Sequence, residues 1–213
     1  MTTAIIGTGG IGSAIAGLLA AGGETLRLSS ADPESARTLA AKIGHRSIAA
    51  AGNRDALAGA DAVVLALRFT VLKSVIDEIA GELADKLVVV PSNPVTADAH
   101  GTISRVLPDD QSSGTAVAGW LPPGARLAMA FGSMSAGLLE SSASQSPTPA
   151  VLFYATDDDQ AARQVERLIH AAGFQPVKAG GLAQSTRLEL NGDLHDLVVT
   201  PTQARALTPS PSP

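Results

Sequence analysis

The sequence predicts an α/β protein with a doubly wound, mainly parallel sheet of Rossmann type and a small C-terminal extension. Three observations carry this. Runs of four to six β-branched or aliphatic residues alternate with Ala-rich stretches of helical period through most of the 213 residues, the pattern of buried parallel strands and their crossover helices. A glycine loop, Gly7-Thr8-Gly9-Gly10-Ile11-Gly12, separates the first such strand from the first such helix. Hydrophobic residues make up 45% of the chain but aromatic ones only 3%, so the core must be a close packing of Ala, Val, Leu and Ile.

In chain order, a strand from Thr3 to Gly7 feeds the glycine loop and a helix from Gly12 to Ala21. A strand from Thr25 to Ser29 follows, then a helix from Pro33 to Ile43 with a local start signal. Asp32 can cap the free amides of its first turn, Pro33 at the first helical position loses no hydrogen bond, and Gly44 ends it. A strand from Ala62 to Ala66 leads to a helix from Val71 to Ala84. Val71, Leu72, Val75, Ile76, Ile79 and Leu83 form one stripe of that helix at helical period, so it should lie on the sheet. Leu87 to Val90, Leu127 to Phe131 and Val151 to Ala155 read as strands, with secondary candidates near Ser47 and Val177. A short helix is expected within Ser113 to Trp120 and a longer one from Asp159 to Ala172. Asp157-Asp158-Asp159 stands between a strand and that helix, where carboxylates cap and favour the dipole rather than gather a metal. Asn93 to Gly119 and Ser141 to Pro149 interrupt the alternation, the second as a surface loop. Residues 1–200 are expected to form one domain, and the Pro- and Ser-rich tail 201–213 to be disordered.

The glycine loop satisfies GxGxxG in its proper setting, after a strand and opening a helix. Gly7 allows the tight turn, Gly9 lets the backbone approach a pyrophosphate, and Gly12 lets the helix sit close to the strand. Amides from Thr8 to Ile11 and the positive end of the helix can then hold phosphates without a basic side chain. In NAD-selective sites an acid at the end of the second strand binds the ribose hydroxyls. Here that place holds Ser29-Ser30, and Asp32, the nearest carboxylate, suits a cap. Two hydroxyls near a helix start favour a phosphate, so NADP is expected over NAD. Ala31 follows instead of an arginine, and Arg37 lies one turn into the helix.

The chain resembles the F420H2:NADP oxidoreductase family, also described as NADPH-dependent F420 reductases. Beyond GTGGIG, the likeness rests on Val63-Val64-Leu65-Ala66-Leu67, on Val88-Val89-Val90 followed by Ser92-Asn93-Pro94, and on Leu121-Pro122 before Ala125-Arg126-Leu127-Ala128-Met129-Ala130-Phe131. Asp157-Asp158-Asp159, the run from Ala171 to Val177, and Ala179-Gly180-Gly181-Leu182 with Arg187-Leu188-Glu189 extend it to about residue 196. The resemblance implies a homodimer that holds NADP and a deazaflavin (F420) or flavin-like acceptor face to face for hydride transfer; the cytoplasm is the compartment expected by default. The part from about residue 121 would complete the acceptor side. It also implies that Thr8, Gly9, Gly10 and Ile11 contact pyrophosphate, Ser29 and Ser30 the 2′-phosphate, Ala66, Leu67 and Arg68 the nicotinamide-side ribose, and Ser135 the nicotinamide end. Two positions depart from the family: Ala31 where an arginine is common, and Gly132 where a polar side chain is common.

Hydride transfer needs placement and electrostatics from the protein, while the cofactors supply the chemistry, so no general acid or base is assigned. Arg68 directly follows an apolar strand at the carboxyl end of the sheet, where such folds bind ligands; alternatively it is a loop arginine paired with a nearby acid. The small residues from Gly132 to Gly137 either leave space for a flat second ring or form a tight strand-to-helix connection. His45, His100, His170 and His195 show no metal-ligand spacing and read as solvated.

A net charge of −5 without a basic cluster argues against nucleic acid and anionic membranes as partners. The absence of cysteine removes disulfides, thiolate metal sites and cysteine nucleophiles. Met1 leads straight into an apolar run and a glycine loop, without the basic start and cleavage site of a secretory signal. Two other functions fit the same sequence: a reductase of a small imine or carbonyl compound, whose representatives usually add a long helical domain, and a non-catalytic dinucleotide sensor or binding module.

Overall fold

The computed structural model describes residues 1–208. Its elements are β1 (Thr2–Ile6), α1 (Gly10–Ala21), β2 (Thr25–Ser29), α2 (Pro33–Ile43), β3 (Ser47–Ala49), α3 (Asn53–Leu57), β4 (Ala62–Leu65), α4 (Phe69–Ile79), β5 (Leu87–Val90), β6 (Val95–Ala97), β7 (Ile103–Arg105), α5 (Ser113–Ala118), β8 (Arg126–Ala130), α6 (Ala136–Ser142), β9 (Val151–Ala155), α7 (Asp159–Ala171), β10 (Gln175–Gly180) and α8 (Pro201–Leu207). Short 3₁₀ segments follow α4 at Ala80–Glu82 and β10 at Leu182–Leu188.

Eight strands form one sheet in the order β10-β9-β8-β5-β4-β1-β2-β3, and β6 pairs with β7 in a separate hairpin. Within the eight-stranded sheet only the β8–β9 pairing is antiparallel. The expected doubly wound, mainly parallel sheet is therefore present. Strand alternation divides the core between its faces. Ile5, Val64, Val89 and Ala128 join Ile15 and Leu19 of α1, Leu39 of α2 and Val165 and Leu168 of α7. Their neighbours Ala4, Ile6, Val63, Leu65, Val88 and Val90 join Leu72 and Ile76 of α4 and Val117 of α5. No helix among the described residues is long and apolar enough to cross a membrane.

Local signals acted as read. Asp32 Oδ1 accepts from the Glu34 amide at 3.1 Å and Oδ2 from the Ser35 hydroxyl at 2.7 Å, and these bonds hold its carboxyl below the usual range. Asp158 caps α7 by accepting from the Ala161 amide at 2.6 Å, and Asp157 accepts from the Leu182 amide at 3.0 Å. Both carboxylates are thus engaged as caps.

The tail needs correction. Residues 201–207 are helical rather than disordered, because Pro201 stands in the first turn, Thr200 and Gln203 form a capping box, and Ala204 is buried. The rest of the expected disordered tail, 209–213, lies outside the described residues. His195 is also less solvated than expected: its ring Nδ1 lies 3.1 Å from the Leu188 carbonyl oxygen.

Candidate functional site

β1 lies between β2 and β4, and the chain leaves it in opposite directions: through α1 to β2, and later from β3 through α3 to β4. A crevice must open outside the carboxyl ends of strands at such a reversal. The glycine loop fills its floor. Gly7 has φ +102°, donates its amide to Ser29 O at 2.8 Å, and would place a Cβ 2.2 Å from Ala66 O. A Cβ on Gly12 would lie 1.9 Å from Gly7 O. These two glycines are required by packing. Gly9 differs: its φ of −70° and ψ of −171° suit any residue, and no atom lies within 4 Å of a Cβ built there. Its missing side chain leaves only the crevice empty.

Gly9 caps α1 with no side-chain bond, no acid stands in the first turn, and the first recorded helical bond is Ser13 N–H to Gly9 O. The preceding amides are left for an outside acceptor. The Thr8 hydroxyl is buried without a hydrogen-bond partner among the described residues. A bare helix end, an unpartnered hydroxyl and an open glycine together fit a pyrophosphate.

Two clefts flank the loop. The larger, of about 630 Å³, is lined on one side by Gly7, Thr8, Gly9, Ser29 and Ser30 and on the other by Ala66, Leu67, Arg68, Asn53 and Glu78. The smaller, of about 310 Å³, shares Gly9, Ala66, Leu67 and Arg68 and continues past Gly10, Ile11, Phe69, Ser92 and Asn93. Most residues expected to touch a cofactor are therefore assembled around one crevice. Gly12 is buried beneath it. Ser135 lines neither cleft: it is exposed, and its hydroxyl accepts from the Leu138 amide at 3.3 Å to cap α6.

Arg68 has no ion-pair partner among the described residues, so the pairing expected of a loop arginine is not what holds it. It is the only cation lining either cleft there. Arg37, by contrast, is spent on Glu34 at 2.9 Å along the surface of α2. Ser29 is buried, and its hydroxyl donates to Asn53 Oδ1 at 2.8 Å. Asn53 Nδ2 donates in turn to the Glu78 carboxylate at 3.1 and 3.3 Å.

The wall of the smaller cleft is fixed by side chains that sequence reasoning did not single out as site residues. Ser92 Oγ donates to Leu67 O, Asn93 Nδ2 donates to Gly132 O at 2.9 Å, and Asn93 Oδ1 accepts from the Leu190 amide at 2.6 Å. Asn93 thereby ties the end of β5 to the loop after β8 and to the C-terminal segment. Gly132 resolves to the tight connection: a Cβ there would lie 2.3 Å from Pro91 O. Behind this wall Glu189 is buried, accepting from the Ser113 amide and hydroxyl at 2.7 Å each and from Arg105. Phe69 of the smaller cleft packs on Trp120, the single tryptophan, with ring centroids 5.4 Å apart.

Residues 2–94 match the family described as NADP oxidoreductase, coenzyme F420-dependent. Over that segment the chain is similar to this family. The matched segment holds the glycine loop, Ser29, Asn53, Arg68, Glu78, Ser92 and Asn93. Among solved structures, the hypothetical protein SMa0349 from Sinorhizobium meliloti is 28% identical, with a TM-score of 0.82 and coverage of 94% of this chain and 95% of that one. A proposed F420-dependent NADP-reductase from Arthrobacter sp. FB24 is 22% identical, with a TM-score of 0.72 over 86% of each chain. A reductive aminase from Aspergillus terreus, in complex with NADPH and ethyl levulinate, is 18% identical with a TM-score of 0.61. The alignment covers 92% of this chain but 58% of the aminase. No curated protein matches by sequence.

Proposed function

We propose that this chain, similar over residues 2–94 to the F420-dependent NADP oxidoreductases, passes a hydride between NADP(H), laid across the glycine loop, and a deazaflavin (F420) or flavin-like acceptor in the smaller cleft. One observation carries the reading: the two clefts meet along Gly9, Ala66, Leu67 and Arg68. A dinucleotide in the larger cleft would therefore present its far end to whatever occupies the smaller one.

The chain's own residues bind and orient. The amides from Thr8 to Ile11 and the Thr8 hydroxyl receive the pyrophosphate, Gly9 lets it approach, and Arg68 adds a positive side chain at the junction. Ser29 and Ser30 face the adenosine-side ribose. Leu67 and Phe69 exclude water beside the reacting ring, and Ser92 and Asn93 hold the opposite wall in place. When bound, the nicotinamide supplies the hydride and the acceptor ring receives it.

Among the described residues, no side chain lining the smaller cleft other than Arg68 is titratable. That favours an acceptor carrying its own redox chemistry over a carbonyl or imine that must be given a proton by the protein. The test is NADPH oxidation in the presence of F420, FMN, FAD or ferric chelates. Turnover with a flavin-like acceptor supports the proposal, and no turnover with any of them refutes it.

A further inference from the structure

We propose that Glu78, acting with Asn53 and Ser29, sets cofactor choice by favouring an unphosphorylated ribose, so that the chain accepts NADH as well as NADPH. The inference rests on the dinucleotide reading above. It starts from the direction of the hydrogen bonds. The Glu78 carboxylate only accepts, so the Asn53 amide must present its NH₂ group to Glu78 and its oxygen to Ser29. Ser29 has a single hydroxyl proton, and Asn53 takes it. Toward the cleft Ser29 then offers lone pairs alone, which suit a ribose hydroxyl that has a proton to give. They do not suit the oxygens of a 2′-phosphate, which need donors.

Charge points the same way. Glu78 is exposed in the cleft and has no ion-pair partner among the described residues. The nearby Arg54 spends Nε and Nη2 on the backbone carbonyl of Glu78, at 3.2 and 2.8 Å, and pairs with Glu82 at 3.6 Å. The start of α2, which could otherwise attract a phosphate, is occupied by the Asp32 carboxylate and carries Glu34 in its first turn. Ala31 brings no guanidinium, and Arg37 is paired with Glu34. The acid missing from the end of β2 is thus supplied by α4. The Ser30 hydroxyl still leaves a phosphorylated ribose some support.

The test is titration of the wild-type chain, Glu78→Gln and Glu78→Lys with NADH and NADPH. Wild-type Kd values should agree within about tenfold, and removing one charge beside a phosphate dianion should shift the ratio toward NADPH by roughly tenfold. Glu78→Lys should shift it further in the same direction. Because Glu78 is exposed, both variants should melt with the wild type. A wild-type preference for NADPH above roughly a hundredfold, or a ratio unchanged in both variants, overturns the inference while leaving the dinucleotide site intact. Failure of the wild type to bind either nucleotide overturns the reading beneath it as well.

Discussion

Gly9 and Gly12 separate folding from binding within one turn of chain. A methyl group on Gly12 would sit 1.9 Å from Gly7 O, with Ala66 Cβ a further 3.2 Å contact. The obstructing atoms at the shortest distance are backbone, so α1 must move off β1. Such overpacking costs about 3 kcal/mol, and at roughly 2–4 °C per kcal/mol for a chain this long the melting temperature of Gly12→Ala should fall by about 6–12 °C. A methyl group on Gly9 meets nothing within 4 Å, and its φ of −70° is ordinary. Gly9→Ala should therefore keep its stability within about 0.5 kcal/mol. Its cost falls on the ligand. Holding a pyrophosphate off the loop forfeits at least one charge-assisted hydrogen bond of about 1.5–3 kcal/mol, a rise in Kd of roughly tenfold to a hundredfold. Thermal melts and NADPH titrations, read through the fluorescence of Trp120 or by calorimetry, measure both quantities on each variant. If Gly9→Ala binds NADPH as the wild type does, or melts as low as Gly12→Ala, the division of roles is wrong.

Other consequences are as direct. Arg68→Ala removes the sole cation that the described residues place at the junction of the clefts, where it forms no ion pair with any of them; the Kd for NADPH should rise by about tenfold or more with an unchanged melt. Asn93→Ala leaves Gly132 O and the Leu190 amide without partners. It should cost about 1–3 kcal/mol in a denaturant titration and speed amide exchange at Leu190. Tyr154, the single tyrosine, is buried and donates its hydroxyl to Glu166. Burial first, and then the Glu166 carboxylate, push its phenol well above the ordinary range. The neutral ring is thus favoured in the fold, and this contribution is fully present below the unfolded value of about 10 and lost as pH rises beyond it. Alkaline spectrophotometric titration should show tyrosinate only together with unfolding, and Tyr154→Phe should flatten that loss. A tyrosinate signal from protein that is still folded would contradict the assignment.

The sequence was most legible where the physics is local. The turn before α1, the Asp32 cap with Pro33, and the apolar stripe of α4 each depend on residues within a few positions of one another, and all appear in the fold. The hairpin of β6 and β7 did not show because its strands are three residues long and largely exposed. Asp98 ties their turn by accepting from the amides of His100 and Thr102. Proline misled at the tail, where Pro201 begins a helix instead of preventing one. The site divides in the same way. Gly7, Gly9 and Gly12 could be assigned tasks from their spacing, but Ser29, Asn53 and Glu78 meet only because β2, α3 and α4 converge at the reversal beside β1. The end of β2 by itself shows only two serines. The structure adds that the proton of one is already committed.

The proposed reaction is hydride passage from a dinucleotide on the glycine loop to an acceptor across the Leu67–Arg68 edge. It is tested most directly by single-turnover mixing of the chain with NADPH deuterated at the transferring position and a deazaflavin, followed by mass analysis of both products. Deuterium is expected on the deazaflavin ring, at a rate that falls in Gly9→Ala. Tight NADPH binding with no label transferred to deazaflavin, and no oxidation with any flavin, would contradict it.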